Sequence, residues 1–147
     1  MSIRVLLADN HAAILKGVSR LIHDQEDMAV VGQTADAYAV IGLCRQVEPD
    51  VVLMDVGIPV FNGIQAARHI HQEQPQVKII AFSTHASRRS MAEAFKAGAS
   101  SYLLKDCDYH ELLAAIRAVA PGETFTSGEL KDDPAERDLL GKYSAKE

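Results

Sequence analysis

The sequence predicts an α/β fold, a doubly wound parallel sheet of five strands interleaved with five helices. Short continuous apolar runs recur along the chain, the pattern of strands buried on both faces. Between them lie segments with apolar residues at helical spacing, each presenting one apolar face. A polar, chemically useful side chain closes four of the runs: Asp9, Asp55, Ser83 and Lys105. Such alternation calls for right-handed crossovers, which place helices on both sides of the sheet.

The first strand is Ile3 to Leu7, and a helix from His11 to His23 follows, with Ile14, Leu15, Val18, Leu21 and Ile22 on its apolar face. Met28 to Gly32 is the second strand. Ala35 to Val47 is the next helix, with Ala37, Val40, Ile41 and Cys44 inward and Asp36 suiting its positive end. Val51 to Met54 is the most compact run, bounded by Pro49-Asp50 before it and Pro59 after Asp55. Asn62 is an N-cap residue for a helix reaching about Glu73. Val77 to Ser83 is the fourth strand, and Ser87 to Ala97 a polar-faced helix that Gly98 terminates. Ser101 to Leu104 is the fifth strand; the helix Tyr109 to Val119 buries Leu112, Leu113, Ile116 and Val119.

A length of 147 residues suits one domain with a tail, and 48% hydrophobic residues suffice for a core. The domain is expected to span residues 1 to 122. Residues 123 to 147 are charged and poor in large apolar side chains, a linker helical at most around Ala135 to Leu140. A net charge of −5 and a pI near 5.6 argue against gripping nucleic acid by the chain's own field. No run approaches membrane-spanning length, so no membrane contact is expected and a cytoplasmic location is. Cys44 and Cys107 stand far apart without metal or disulfide spacing and read as inert thiols.

In the strand order 2-1-3-4-5, usual for flavodoxin-like sheets, strands one and three are neighbours where the crevice opens. Asp9, Asp55, Ser83 and Lys105 would then meet in one pocket. Two carboxylates bind a hard dication such as Mg²⁺, and one can attack a phosphoryl group. A hydroxyl and an ammonium can hold the oxygens of the transferred group.

The segments LLADNH, LMDVGIPVFNG, IIAFST and GASSYLLKD resemble, in order, the site motifs of the receiver domain of bacterial two-component response regulators. The resemblance covers about residues 3 to 120, and the run from Ser100 to Leu130 is similar to the NarL/FixJ subclass, whose receivers precede a LuxR-type helix-turn-helix output domain. It implies that Asp55 accepts phosphate from a sensor histidine kinase. Asp9, Asp55 and the Gly57 carbonyl would hold Mg²⁺, Ser83 and Lys105 would bind phosphoryl oxygens, and Tyr102 would swing between exposed and buried rotamers. Pro59 would fix the loop after the acceptor and Gly63 would open the next helix. A homodimer, weak or enhanced by phosphate, is expected. Tyr143 to Glu147 resembles the opening of the output domain, so DNA binding would belong to a segment this chain lacks.

Asn10 stands where the family carries a second acid, so it would offer the metal a neutral carbonyl. Thr84 stands where the family favours a smaller residue, and Lys16 where the subclass often has arginine. His69 and His71 do not share a helix face and make a poor metal pair. His11 and His85 lie near the pocket mouth and read as surface or hydrogen-bonded side chains. The rival reading is a degenerate receiver, a binding and dimerisation module that works without phosphate. A phosphatase with its aspartyl nucleophile after strand one would need D-x-D where this chain has Asp9-Asn10-His11, and a flavin-binding fold would need a hydroxyl- or glycine-rich loop there.

Overall fold

The computed structural model describes residues 2–56, 62–123 and 125–126. The expected metal ligand Gly57, the loop residue Pro59 and the tail from 127 onward lie outside them. The elements run β1 (Ile3–Ala8), α1 (Ala12–His23), β2 (Met28–Thr34), α2 (Ala37–Val47), β3 (Val51–Asp55), α3 (Gly63–Glu73), β4 (Lys78–Ser83), α4 (Arg88–Lys96), β5 (Ser101–Leu104), α5 (Tyr109–Val119) and β6 (Phe125–Thr126). The strands pair in the order β2-β1-β3-β4-β5-β6, every ladder parallel. The first five follow the expected order. The sixth, two residues after the Pro121-Gly122 turn, is too short to leave a periodic signal. It is held by β5, where the Ser101 hydroxyl also donates to the Phe125 carbonyl at 2.9 Å.

The pleat of β1 splits the core. Val5 and Leu7 face α1 and α5, in a cluster with Val18, Ile22, Leu112 and Ile116. Leu6 and Ala8 face the other way, in a cluster with Val40, Cys44, Ile70, Met91 and Phe95. All five residues of β3 are buried, as its unbroken apolar run requires. Burial raises the Cys44 thiol to about 12, with the nearby Glu73 charge adding to the effect, so it is an inert core residue.

Local chemistry sets the helix ends. Asp36 accepts from the Tyr38 amide at 2.9 Å and Asp108 from the His110 amide at 2.7 Å, satisfying donors that a helix start leaves open. Ser87 and Ser90 form a reciprocal capping box at the start of α4. Asn62 occupies the N-cap position of α3 but does not cap with its side chain. Its backbone is left-handed (φ 57°), and its amide donates to Gln65 Oε1 at 2.6 Å instead. Gly98, just past α4, has φ 112°, and a side chain there would also run into the His71 ring. Exposed ion pairs tie neighbours: Arg45 to Glu73 between α2 and α3, and Arg117 to Asp27 from α5 to the turn before β2. The hydrogen bond from each arginine holds its carboxyl below the ordinary range.

Candidate functional site

Four strand ends build the site. β1 and β3 are in register with Ala8 opposite Met54, so Asp9 emerges beside Asp55. β4 and β5 are in register with Ser83 opposite Leu104, so Lys105 leaves β5 just beyond Ser83. The Lys105 amide donates to the Ser83 carbonyl at 2.7 Å, which fixes where the lysine begins. Its side chain crosses the Phe82 ring, with the ammonium 5.9 Å from the centroid, and ends between the two carboxylates.

The centre of the site is that ammonium. Lys105 Nζ lies 2.8 Å from Asp9 Oδ2 and 3.1 Å from Asp55 Oδ2. The Asp55, Asp9 and Lys105 side chains are 0%, 5% and 5% exposed, so these charges interact with little screening by water. A buried carboxylate without a cation would be costly, and one lysine shared by two leaves one net negative charge.

His11 lies at the pocket mouth, hydrogen-bonded as the sequence suggested, and its ring reaches the charged centre. Its backbone amide donates to Asp9 Oδ1 at 2.8 Å, an Asx turn that folds residue 11 back over the carboxylate. Its ring Nδ1 lies 3.0 Å from Asp9 Oδ1, 2.9 Å from Lys105 Nζ and 3.8 Å from Asp55 Oδ2. The spacing Asp-x-His was the available signal, because an aspartate that caps its own turn brings residue i+2 to its side chain. The same turn makes His11 an extended residue, so α1 starts one position later than the apolar periodicity suggests.

The other expected residues divide. Ser83 is fully buried at the end of β4, with its hydroxyl accepting from the His85 amide at 3.3 Å. Asn10 is exposed. Tyr102 is fully buried in the inward rotamer. Its hydroxyl donates to the His85 carbonyl at 2.9 Å and lies 3.2 Å from Ser90 Oγ, so it bridges the β4–α4 loop and the capping box of α4.

Could these residues hold a divalent cation? Asp9, His11 and Asp55 each offer a ligand atom, all within 4.8 Å of one another, the one such group among the described residues. Asp9 Oδ2 is buried and meets Lys105 as an ion pair without the geometry of a hydrogen bond, which leaves lone-pair capacity directed into the site. Two buried carboxylates suit an oxygen-seeking dication.

Comparison with known proteins places the chain in a family. A transcriptional regulatory protein, YxjL, of Bacillus subtilis is 43% identical over 123 residues, 84% of this chain and 56% of that protein. The response regulator GacA of Pseudomonas aeruginosa is 33% identical over 128 residues, 87% of this chain and 60% of its own length. The chain thus spans little more than half the length of these relatives. Among solved structures, a LuxR-family two-component response regulator from Aurantimonas sp. superposes with a TM-score of 0.82 at 34% identity, covering 97% of both chains. The signal receiver domain of a NarL response regulator from Mycobacterium tuberculosis gives 0.78 at 29% identity, over 83% of this chain and 98% of that one. Residues 5–117 match the response regulator receiver domain, and the chain belongs to that family.

Proposed function

We propose that this domain is a phosphorylation-dependent switch in which Asp55 takes a phosphoryl group from a phosphohistidine of a sensor kinase. The observation that carries the reading is a fully buried carboxylate at the carboxyl end of the central strand, flanked by one further carboxylate and one buried ammonium. An Asp55 oxygen attacks phosphorus, the phosphorus–nitrogen bond to the kinase histidine breaks, and an acyl phosphate forms. When bound, Mg²⁺ supplies positive charge against the phosphoryl oxygens. Asp9 and Asp55 would hold it, with the Gly57 carbonyl as a further ligand.

Lys105 has two successive tasks in this reading. Before transfer it pairs with both carboxylates, and afterwards its ammonium pairs with a phosphoryl oxygen. Ser83 would turn its hydroxyl from the His85 amide to another phosphoryl oxygen. That shift would act on the loop whose carbonyl accepts from Tyr102, and Tyr102 in turn touches the capping box of α4. The α4, β5 and α5 face would thereby change its self-association and its hold on an attached transcriptional output domain. In this reading the receiver catalyses only its own phosphorylation and dephosphorylation. DNA is met only through the output domain. No described helix is long and apolar enough to cross a membrane.

Incubation with acetyl phosphate and Mg²⁺ should add the mass of one phosphoryl group, and Asp55→Asn should abolish the addition. Sedimentation of the treated protein should shift toward a dimer. A second reading, a module that pairs without phosphate, is favoured by neutral, exposed Asn10. It predicts no mass change and identical sedimentation.

Restoring the second acid is a graded test. Asn10→Asp should tighten Mg²⁺ binding about five- to thirtyfold, the difference between a charge-assisted and a neutral contact. It should speed Asp55 labelling at low Mg²⁺ and lower the metal-free melting point, since a third carboxylate joins Asp9 and Asp55. Unchanged Mg²⁺ affinity in a calorimetric titration would place residue 10 outside the metal site.

A further inference from the structure

We infer that His11 is a third metal donor and that it biases this site toward divalent first-row transition ions over Mg²⁺. The inference rests on the reading of Asp9 and Asp55 as metal ligands, and adds a donor that this reading does not use. Three contacts carry it. Asp9 Oδ2, Asp55 Oδ2 and His11 Nδ1 all approach one cation, the Lys105 ammonium, at 2.8, 3.1 and 2.9 Å. Those atoms already surround a single positive centre, and in the tautomer with its proton on Nε2 His11 supplies the nitrogen corner, Nδ1 then giving up its 3.0 Å hydrogen bond to Asp9 Oδ1.

The local fold makes this placement repeatable rather than incidental. The Asx turn fixes the backbone of residue 11 against Asp9 through Oδ1, which leaves Oδ2 of the same carboxylate directed at the shared centre. The ring is about half exposed at 44%, so a hydrated ion can reach it without opening the core.

Chemistry then separates the candidate ions. Mg²⁺ takes oxygen ligands and keeps several waters, so an imidazole adds little to its binding. Imidazole suits Co²⁺, Ni²⁺ and Zn²⁺, and affinity for a mixed nitrogen and oxygen site rises along the first-row series. The position that could have supplied another carboxylate holds neutral, exposed Asn10. With one less anionic donor to favour Mg²⁺, the imidazole carries a larger share of the selectivity. The ammonium must move aside for either ion, so its cost cancels when two ions are compared.

The test titrates the whole chain with Mg²⁺ and separately with Co²⁺ at one fixed pH. Calorimetry gives both affinities, and visible absorption reports nitrogen ligation of Co²⁺. Wild type should bind Co²⁺ at least about tenfold more tightly than Mg²⁺. His11→Ala, checked for intact secondary structure by circular dichroism, should lose about tenfold or more in Co²⁺ affinity, the scale of metal-site ligand-shell changes. Its Mg²⁺ affinity should stay within about twofold, and the visible band should change. Equal losses for both ions, or no loss for either, overturns the inference and leaves the Mg²⁺ site standing. Co²⁺ and Mg²⁺ binding that both survive Asp55→Asn means the ions bind elsewhere, and the site reading falls with the inference.

Discussion

Lys105→Met is expected to cost about 3–5 kcal/mol of stability without divalent ions, the usual penalty for removing one partner from a buried ion pair. Methionine keeps a long, flexible chain against the Phe82 ring, so the change isolates the charge. What remains are Asp9 and Asp55, 4% and 1% exposed, side by side without their ammonium. A domain of this size loses roughly 3–4 °C of melting temperature per kcal/mol, so a drop of about 10–20 °C is expected. Mg²⁺ should recover much of it, because an ion that binds only the folded state stabilises by mass action. The variant should also bind Mg²⁺ more tightly than wild type, since no ammonium has to leave. Lys105→Arg, which keeps the charge, should fall between the two. Thermal melts with chelator and with millimolar Mg²⁺ decide the matter. A methionine variant that melts with wild type in chelator means the two carboxylates do not depend on Lys105.

The parts of this architecture that rest on long apolar runs were legible in the sequence, and the parts that rest on single contacts were not. Val51 to Met54 and Val77 to Ser83 read as strands, and their order fixed where Asp55 and Ser83 would emerge. Asn62 shows the limit of residue-type rules. Its place before α3 was readable, but the left-handed backbone turns its amide toward Gln65, so the cap expected of an asparagine is not made. His11 shows the same limit at the site. A place at the pocket mouth was readable, but its partners were not: one hydrogen bond from its amide to Asp9 carries its ring to Lys105. The inward rotamer of Tyr102 also had to be seen, since an aromatic in this short strand is compatible with either state until its hydroxyl finds the His85 carbonyl.

Gly63→Ala is expected to damage both the fold and the acceptor site. A methyl there would lie on the carbonyl of Asp55, with the Asp55 carbonyl carbon at 2.9 Å and Met54 Cγ at 3.3 Å. The side chain of Met54 could adjust, but the Asp55 carbonyl cannot easily retreat. Asp55 pairs with Phe82 in the central ladder, and the next amide, Val56, donates to the Phe82 carbonyl at 3.2 Å. The start of α3 has to move away from β3 instead, loosening Ala66, Ala67 and Ile70 from the core. Overpacking costs about 1–3 kcal/mol, and a clash of backbone with backbone sits at the upper end. At roughly 3–4 °C per kcal/mol, the melting point should fall by about 10 °C. Labelling of Asp55 by acetyl phosphate should fall further than stability does, because the displaced carbonyl belongs to the acceptor residue itself. Gly42→Ala is the matched control. It lies inside α2 with no atom within 4 Å of the added methyl, so it should gain about 0.5–1 kcal/mol from helix propensity alone. The melting points of the two alanine variants should therefore move in opposite directions, and only Gly63→Ala should lose phosphorylation. Wild-type melting and labelling in Gly63→Ala would refute the close approach of α3 to the acceptor strand.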